Sequence, residues 1–227
     1  MSKKILMILT SHDKLGNTDE KTGLWIEEFA APYYTFIDAG FDVTLASPLG
    51  GQPPIDPKSE LADFQTLFTQ RFDNDTTTQS IFAATTELST LTADDYDAIF
   101  YPGGHGPLWD LTDNVESIQL IEQFLAQNKP VASVCHAATV LLNIKNEQGE
   151  FAIKGKKITG FSNSEEDAVQ LSEVVPFLLE DEIKNRGANY SKGDDWASYV
   201  VQDGLFISGQ NPASSELSAH KLIAHIS

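Results

Sequence analysis

Val131-Ala132-Ser133-Val134-Cys135-His136-Ala137-Ala138 is a short apolar strand that runs straight into the only cysteine of the chain and then into a helix-compatible stretch ending at Leu142. The residues two before and two after the thiol, Ser133 and Ala137, are small, as a sharp strand-to-helix elbow requires. A thiol at a helix N-terminus is expected to have a lowered pKa, because the thiolate is stabilised there. The backbone N–H of His136 at the helix start is a natural donor to a developing oxyanion. An exposed thiolate in this position would also oxidise readily.

Working outward, short apolar runs alternate with helical periodicity. Strands are expected at Lys3 to Thr10, Phe41 to Ser47, Ala98 to Tyr101, Pro130 to Val134 and Lys157 to Phe161, and as a hairpin around Asp203-Gly204 within Tyr199 to Gly209. Helices are expected at Thr22 to Ala39, Val115 to Gln127, His136 to Leu142, Glu173 to Arg186 and Ala213 to His225. This alternation predicts an α/β fold, a flavodoxin-like three-layer sandwich with a mostly parallel sheet, as a single domain over residues 1–227. Residues 48–94 interrupt the rhythm with Pro53, Pro54 and Pro57 and a helix-compatible Leu61 to Phe68. They are read as an insertion folding over the active face. Ligands of such sheets sit beyond the carboxyl ends of the strands, here after Thr10, Tyr101 and Val134.

Two further segments carry chemistry. Pro102-Gly103-Gly104-His105-Gly106 follows a strand, and its glycines let backbone N–H groups approach a ligand, with Gly104 as the expected second oxyanion donor. Glu28 lies one turn after Leu24 and one turn before Pro32, on the apolar side of its helix. A carboxyl buried there has a raised pKa and can pass protons at neutral pH. Its neighbour Glu27 is expected to face solvent. Trp25, Trp109 and Trp196 are candidates for a pocket wall, although bulky aromatics more often belong to core or rim, His12 is a loop residue, and the five histidines show no metal-ligand spacing, so no metal is expected.

The formal net charge of −18 disfavours nucleic acid, anionic membranes and strongly anionic substrates. No apolar run is long enough for a membrane span, the N-terminal run lacks a signal-peptide core, and a single cysteine allows no intrachain disulfide, so a cytoplasmic location is expected.

Gly23-x-x-x-x-Glu28, Pro102-Gly103-Gly104-His105-Gly106, Val134-Cys135-His136 and Thr159-Gly160-Phe161 together resemble the ThiJ/PfpI superfamily, with its class I glutamine amidotransferase-like fold. The branch resembled is that of the stand-alone glyoxalases (glyoxalase III) and thirty-one-kilodalton heat-shock chaperones. The resemblance runs nearly the whole chain and ends in Ser208-Gly209-Gln210-Asn211-Pro212-Ala213-Ser214. It implies a glutathione-independent glyoxalase, a lyase that converts the small dicarbonyl methylglyoxal to lactate without a cofactor, with deglycase or holdase activity in some relatives and a homodimeric state. It assigns Cys135 as nucleophile, Glu28 as proton-shuttling acid, His136 as adjacent base and Glu166 as a further acid, with Glu165 next to it as the alternative. Gly104 and His136 would form the oxyanion hole, and His105 and Trp25 would touch substrate. The branch usually carries Gly-Pro after the Cys-His pair, where this chain has Ala137-Ala138, which bears on substrate preference. Two other readings stand beside it: a cysteine amidase or peptidase needing His136 to be oriented by Glu166, and a stress chaperone independent of Cys135. A glutamine amidotransferase is disfavoured because no late His-x-Glu occurs, and Gly16-Asn17-Thr18 is too acidic in its surroundings to hold a flavin phosphate.

Overall fold

The computed structural model describes residues 2–227, and its apolar runs condense into a mostly parallel seven-stranded sheet. In chain order the elements are β1 (Lys4–Ile8), α1 (Ile26–Asp38), β2 (Asp42–Ser47), α2 (Leu67–Asn74), α3 (Thr76–Phe82), β3 (Thr86–Glu87), β4 (Ala98–Tyr101), α4 (Pro107–Asp110) and α5 (Val115–Ala126). There follow β5 (Val131–Val134), a 3-10 helix (Cys135–Leu141), β6 (Lys157–Ile158), α6 (Asn163–Ala168), α7 (Leu179–Asn185), β7 (Asn189–Tyr190), β8 (Val200–Asp203), β9 (Phe206–Gly209) and α8 (Ser215–Ile226). The sheet order is β3-β2-β1-β4-β5-β9-β8, parallel throughout except for β8, which pairs antiparallel with β9. This is the flavodoxin-like α/β architecture expected from the alternation.

The order reverses between β1 and β4. The chain moves one way from β1 to β2 and the other way from β4 to β5. Right-handed crossovers therefore place α1 and α5 on opposite faces. Helices α1 and α8 pack together on one of these faces. The carboxyl ends of β1 and β4 splay at that reversal, which makes a crevice. The strands are buried on both sides, Ile5 to Ile8 and Ala98 to Tyr101 being wholly inaccessible. Continuous apolar runs rather than alternating ones are what a sheet covered on both faces demands.

Four elements differ from expectation. The stretch after Cys135 is a 3-10 helix rather than an α-helix. Lys157 to Phe161 contributes only two strand residues, paired with β7 in a separate two-stranded sheet. The chain then bends so that the Phe161 N–H reaches the Cys135 carbonyl at 3.4 Å. In the stretch from Glu173 to Arg186, only α7 is an α-helix, beginning three residues after Pro176, whose ring prevents the preceding residue from joining a helix. Residues 48–94 hold α2 and α3 and also β3, an edge strand of the main sheet. Leu61 to Phe68 is not one helix: it holds a 3-10 turn at Ala62–Phe64 and only the first two residues of α2. This segment does reach the crevice: Asp56 accepts from Thr22, Ser59 accepts from the Ile26 N–H, and Phe64 lines the cavity described below.

Candidate active site

Cys135 directly follows β5 with φ +59°, the left-handed region that a β-carbon makes costly. The surrounding packing imposes it. Ser133, Ala137 and Ala138 are fully buried, and Gly160 passes so close that a Cβ there would stand 3.0 Å from the Ala138 methyl. The elbow turns the backbone N–H of His136 toward the sulfur, and the N–H of Gly104 approaches it as well. Two glycines make this approach possible. A Cβ on Gly103 would lie 2.5 Å from Glu28 Oε2 and 2.6 Å from the Val134 carbonyl, and one on Gly104 would lie 2.5 Å from Trp25 N. The loop after β4 is fixed from its far end by Asp110, which accepts from Thr10 Oγ1 and from Ser11 N across the crevice.

Glu28 is fully buried on α1, and the helix continues through Pro32. The Gly103 N–H donates to its Oε2 at 2.9 Å, while Oε1 has no protein partner. Burial pushes the carboxyl up to about 8, against the opposing pull of the Cys135 thiol and the Gly103 N–H. Glu28 is therefore mostly protonated at neutral pH. The thiol is affected the same way, which corrects the expectation of a lowered pKa. Burial, then the charge and hydrogen bonding of Glu28, raise it well above its usual value and outweigh the two N–H groups that favour thiolate. Nor is the sulfur exposed, since Cys135 retains only 3% of its accessible surface. The elbow gives the thiol its N–H partners, and burial keeps it protonated until something accepts the proton.

The ring placed nearest to accept it is that of His136. Its Nδ1 lies 3.3 Å from Cys135 Sγ, and its Nε2 lies 2.6 Å from Glu166 Oε2. Burial, helped by neighbouring His105, lowers its pKa to about 4, so the ring is neutral at physiological pH. With Nε2–H donating to Glu166, the Nδ1 lone pair faces the thiol. For Glu166, burial favours the neutral form, but His136 and His105 outweigh it and hold the carboxyl well below the usual carboxylate range. His105 Nε2 donates to Glu166 Oε1 at 2.8 Å, and the two imidazole rings lie 4.0 Å apart. His105, His136 and Glu166 thus bring three metal-capable donors within 4.8 Å of one another, a cluster invisible to sequence spacing because three separate segments supply it. The carboxylate–histidine contacts are shorter than the roughly 3.3 Å between two ligands of a tetrahedral ion bound at about 2.0–2.1 Å. An ion could be held there only if Glu166 drew back from both rings.

Above the sulfur lies a cavity of about 440 Å³. Cys135, Glu28, Gly104, His105 and His136 form its polar floor, and Trp25, Phe64, Phe161, Val169, Trp196 and Pro212 its apolar walls. A polar reactive floor beneath apolar walls suits a small, uncharged carbonyl compound.

Residues 24–225 match the DJ-1/PfpI family. The chain belongs to the DJ-1/PfpI family. Among its relatives is the glutathione-independent glyoxalase HSP31 of Saccharomyces cerevisiae, 30% identical over 97% of both chains. Among solved structures, the 24-kilodalton Rapid Encystment Protein of Francisella tularensis superposes with a TM-score of 0.95 at 38% identity over 99% of both chains. Glyoxalase III of Candida albicans superposes at 0.92 with 29% identity, over 99% of this chain and 98% of that one.

In this DJ-1/PfpI chain the fold gathers Cys135, His136, Glu28, Gly104, His105, Trp25 and Glu166 around one crevice, and it separates the two adjacent acids. Glu166 faces both histidines. Glu165 caps α6 through Ser162 and accepts from Trp196 N and Asn211 Nδ2. Glu27 does not simply face solvent: Thr66 Oγ1 donates to it at 2.5 Å, and burial pushes it up to about 7. Of the tryptophans, Trp25 and Trp196 line the cavity, whereas Trp109 stacks on His12. Sequence reasoning missed Phe64, Val169 and Asn211 as cavity residues, and α6 as an element. For α6 a signal was available: Ser162-Asn163-Ser164-Glu165 is a capping-box pattern.

Proposed function

We propose that this protein is a glutathione-independent glyoxalase, a lyase that converts methylglyoxal and water to lactate with Cys135 as nucleophile. One observation carries the reading: a buried carboxyl with a pKa raised to about 8 sits against a thiol that also has a neutral imidazole 3.3 Å away. An internal proton transfer between two carbons needs an acid and base that change roles near neutral pH, and Glu28 fits that need. The names of the yeast relative and the Candida structure support the same activity.

The proton inventory closes. On substrate binding, Cys135 passes its proton to His136 Nδ1, and Glu166 stabilises the imidazolium. The thiolate adds to the aldehyde carbon, the N–H groups of Gly104 and His136 hold the alkoxide, and Glu28 protonates it. Glu28, now ionised, removes the hydrogen from that carbon while His136 protonates the neighbouring oxygen, giving an enediol. Glu28 returns the proton to the second carbon and His136 takes the hydroxyl proton, leaving a thioester. Water then attacks the thioester carbon, Glu28 accepts its proton, and the departing sulfur is reprotonated by His136. The sum is addition of one water with no external oxidant or reductant.

A cysteine hydrolase is the second reading, favoured by the 2.6 Å contact that orients His136 on Glu166. It gives no task to a protonated Glu28. Purified protein is to be given methylglyoxal without glutathione and, separately, amide and peptide substrates, with products followed by NMR. Dicarbonyl turnover that vanishes in Cys135→Ala is expected; amide turnover without lactate would replace the glyoxalase reading by the hydrolase one.

A further inference from the structure

The cavity is far larger than the substrate of the proposed reaction requires. A molecule the size of methylglyoxal fills roughly 120 Å³ at liquid density, against about 440 Å³ available above Cys135. The surplus is apolar and organised. Trp25 and Phe64 meet edge to face at 5.0 Å on one side, and Phe161 and Trp196 meet edge to face at 5.8 Å on the other. Phe64, Val169 and Trp196 keep 46%, 39% and 48% of their surface exposed, so the outer side of the apolar rim stays open to a ligand.

Trp196 stands out for how it is held. Its backbone has φ +64°, uncommon for any residue with a side chain. Its N–H is tied at 2.9 Å to Oε1 of Glu165, a fully buried carboxyl that also accepts from Asn211 Nδ2 at 2.8 Å. A half-exposed indole held in a costly backbone conformation by a buried acid is a preorganised wall rather than a stray surface residue.

We infer that the site takes α-oxoaldehydes bearing an aromatic or bulky apolar substituent, with Trp196 as the residue that selects them and Glu165 as the residue that positions Trp196. The inference rests on the glyoxalase reading and narrows its substrate class. The aldehyde carbon bonds to Cys135 Sγ, the same two proton transfers and one hydrolysis follow, and the substituent lies between Trp196, Phe161 and Phe64. An aryl ring there is sandwiched edge and face by aromatic rings.

Steady-state kinetics with phenylglyoxal and methylglyoxal are the test, using wild type, Trp196→Ala, Trp196→Phe and Glu165→Gln. The expected result is a KM for phenylglyoxal at least about tenfold below that for methylglyoxal. Trp196→Ala and Glu165→Gln should bring that KM ratio toward unity, and Trp196→Phe should retain most of it. A turnover-independent measurement separates this inference from the reaction it rests on: saturation-transfer NMR of 2-hydroxyacetophenone and hydroxyacetone with Cys135→Ala, alone and combined with Trp196→Ala. Preferential binding of the aromatic ketone that needs Trp196 supports the subsite, even if neither oxoaldehyde is turned over and the glyoxalase reading falls. Turnover of methylglyoxal with an equal or higher KM for phenylglyoxal, or a KM ratio unmoved by Trp196→Ala, overturns the inference and leaves the glyoxalase reading standing.

Discussion

At the scale of single residues, Glu28 and His136 divide the proton between them because burial acts on them in opposite senses. Burial disfavours charge in both, which raises the carboxyl to about 8 and lowers the imidazole to about 4. Between those values the site holds a neutral acid and a neutral base beside one thiol. The profile of kcat/KM against pH should therefore fall on the acid side near 4, as His136 takes up a proton, and on the alkaline side near 8, as Glu28 loses one. Glu28→Gln keeps an acceptor for the Gly103 N–H but cannot exchange a proton. It should lower kcat by about 10²–10⁴-fold and abolish the alkaline limb. An alkaline limb that survives in Glu28→Gln would show that another group supplies the acid.

The elements of secondary structure explain why these residues meet. Strand β5 delivers Cys135, the turn after β4 delivers two N–H-bearing glycines, and α1 delivers Glu28, all at the reversal of strand order. The junction tolerates no side chain at Gly103, where a Cβ would strike Glu28 Oε2, the Val134 carbonyl and Cys135 Cβ. Gly103→Ala should cost about 2–3 kcal/mol in urea denaturation; an unchanged midpoint would contradict this close fit. Much of this level was legible in the sequence. The apolar runs of β1, β4 and β5 are long enough to specify buried strands, and Glu28 betrayed itself as an acid on an apolar helix face. What stayed hidden depends on contacts between distant segments. Glu165 and Glu166 are neighbours in sequence, and only α6, capped by Ser162, decides which faces His136. The 3-10 form after Cys135 follows from tight packing under the elbow, and hydrophobic periodicity cannot tell it from an α-helix. The sequence does not reveal the thiol's raised pKa, because the helix terminus is visible locally, whereas burial and the Glu28 contact are not.

Over the whole molecule, a buried carboxyl whose pKa is shifted by folding couples stability to pH. For Glu28 the folded value of about 8 exceeds the ordinary value of 4.5, so the folded state binds more protons between those limits. The stability this gives is complete below about pH 4.5 and is lost as pH rises through 8. Removing the titration with Glu28→Gln should raise stability at pH 8 relative to pH 5, compared with wild type, by a few kcal/mol on the order of magnitude set by ~1.4 kcal/mol per pKa unit. Thermal melts of both proteins at the two pH values read this directly, and parallel melting curves would contradict the buried, protonated carboxyl. The account as a whole stands on Cys135 and Glu28 acting together on a dicarbonyl. The measurement that tests it most directly is the rate of lactate formation from methylglyoxal, without glutathione, by reduced wild type, Cys135→Ala and Glu28→Gln. The account predicts lactate from wild type, none from Cys135→Ala and a small residual rate from Glu28→Gln. Lactate formed equally by all three, or by none, would contradict it.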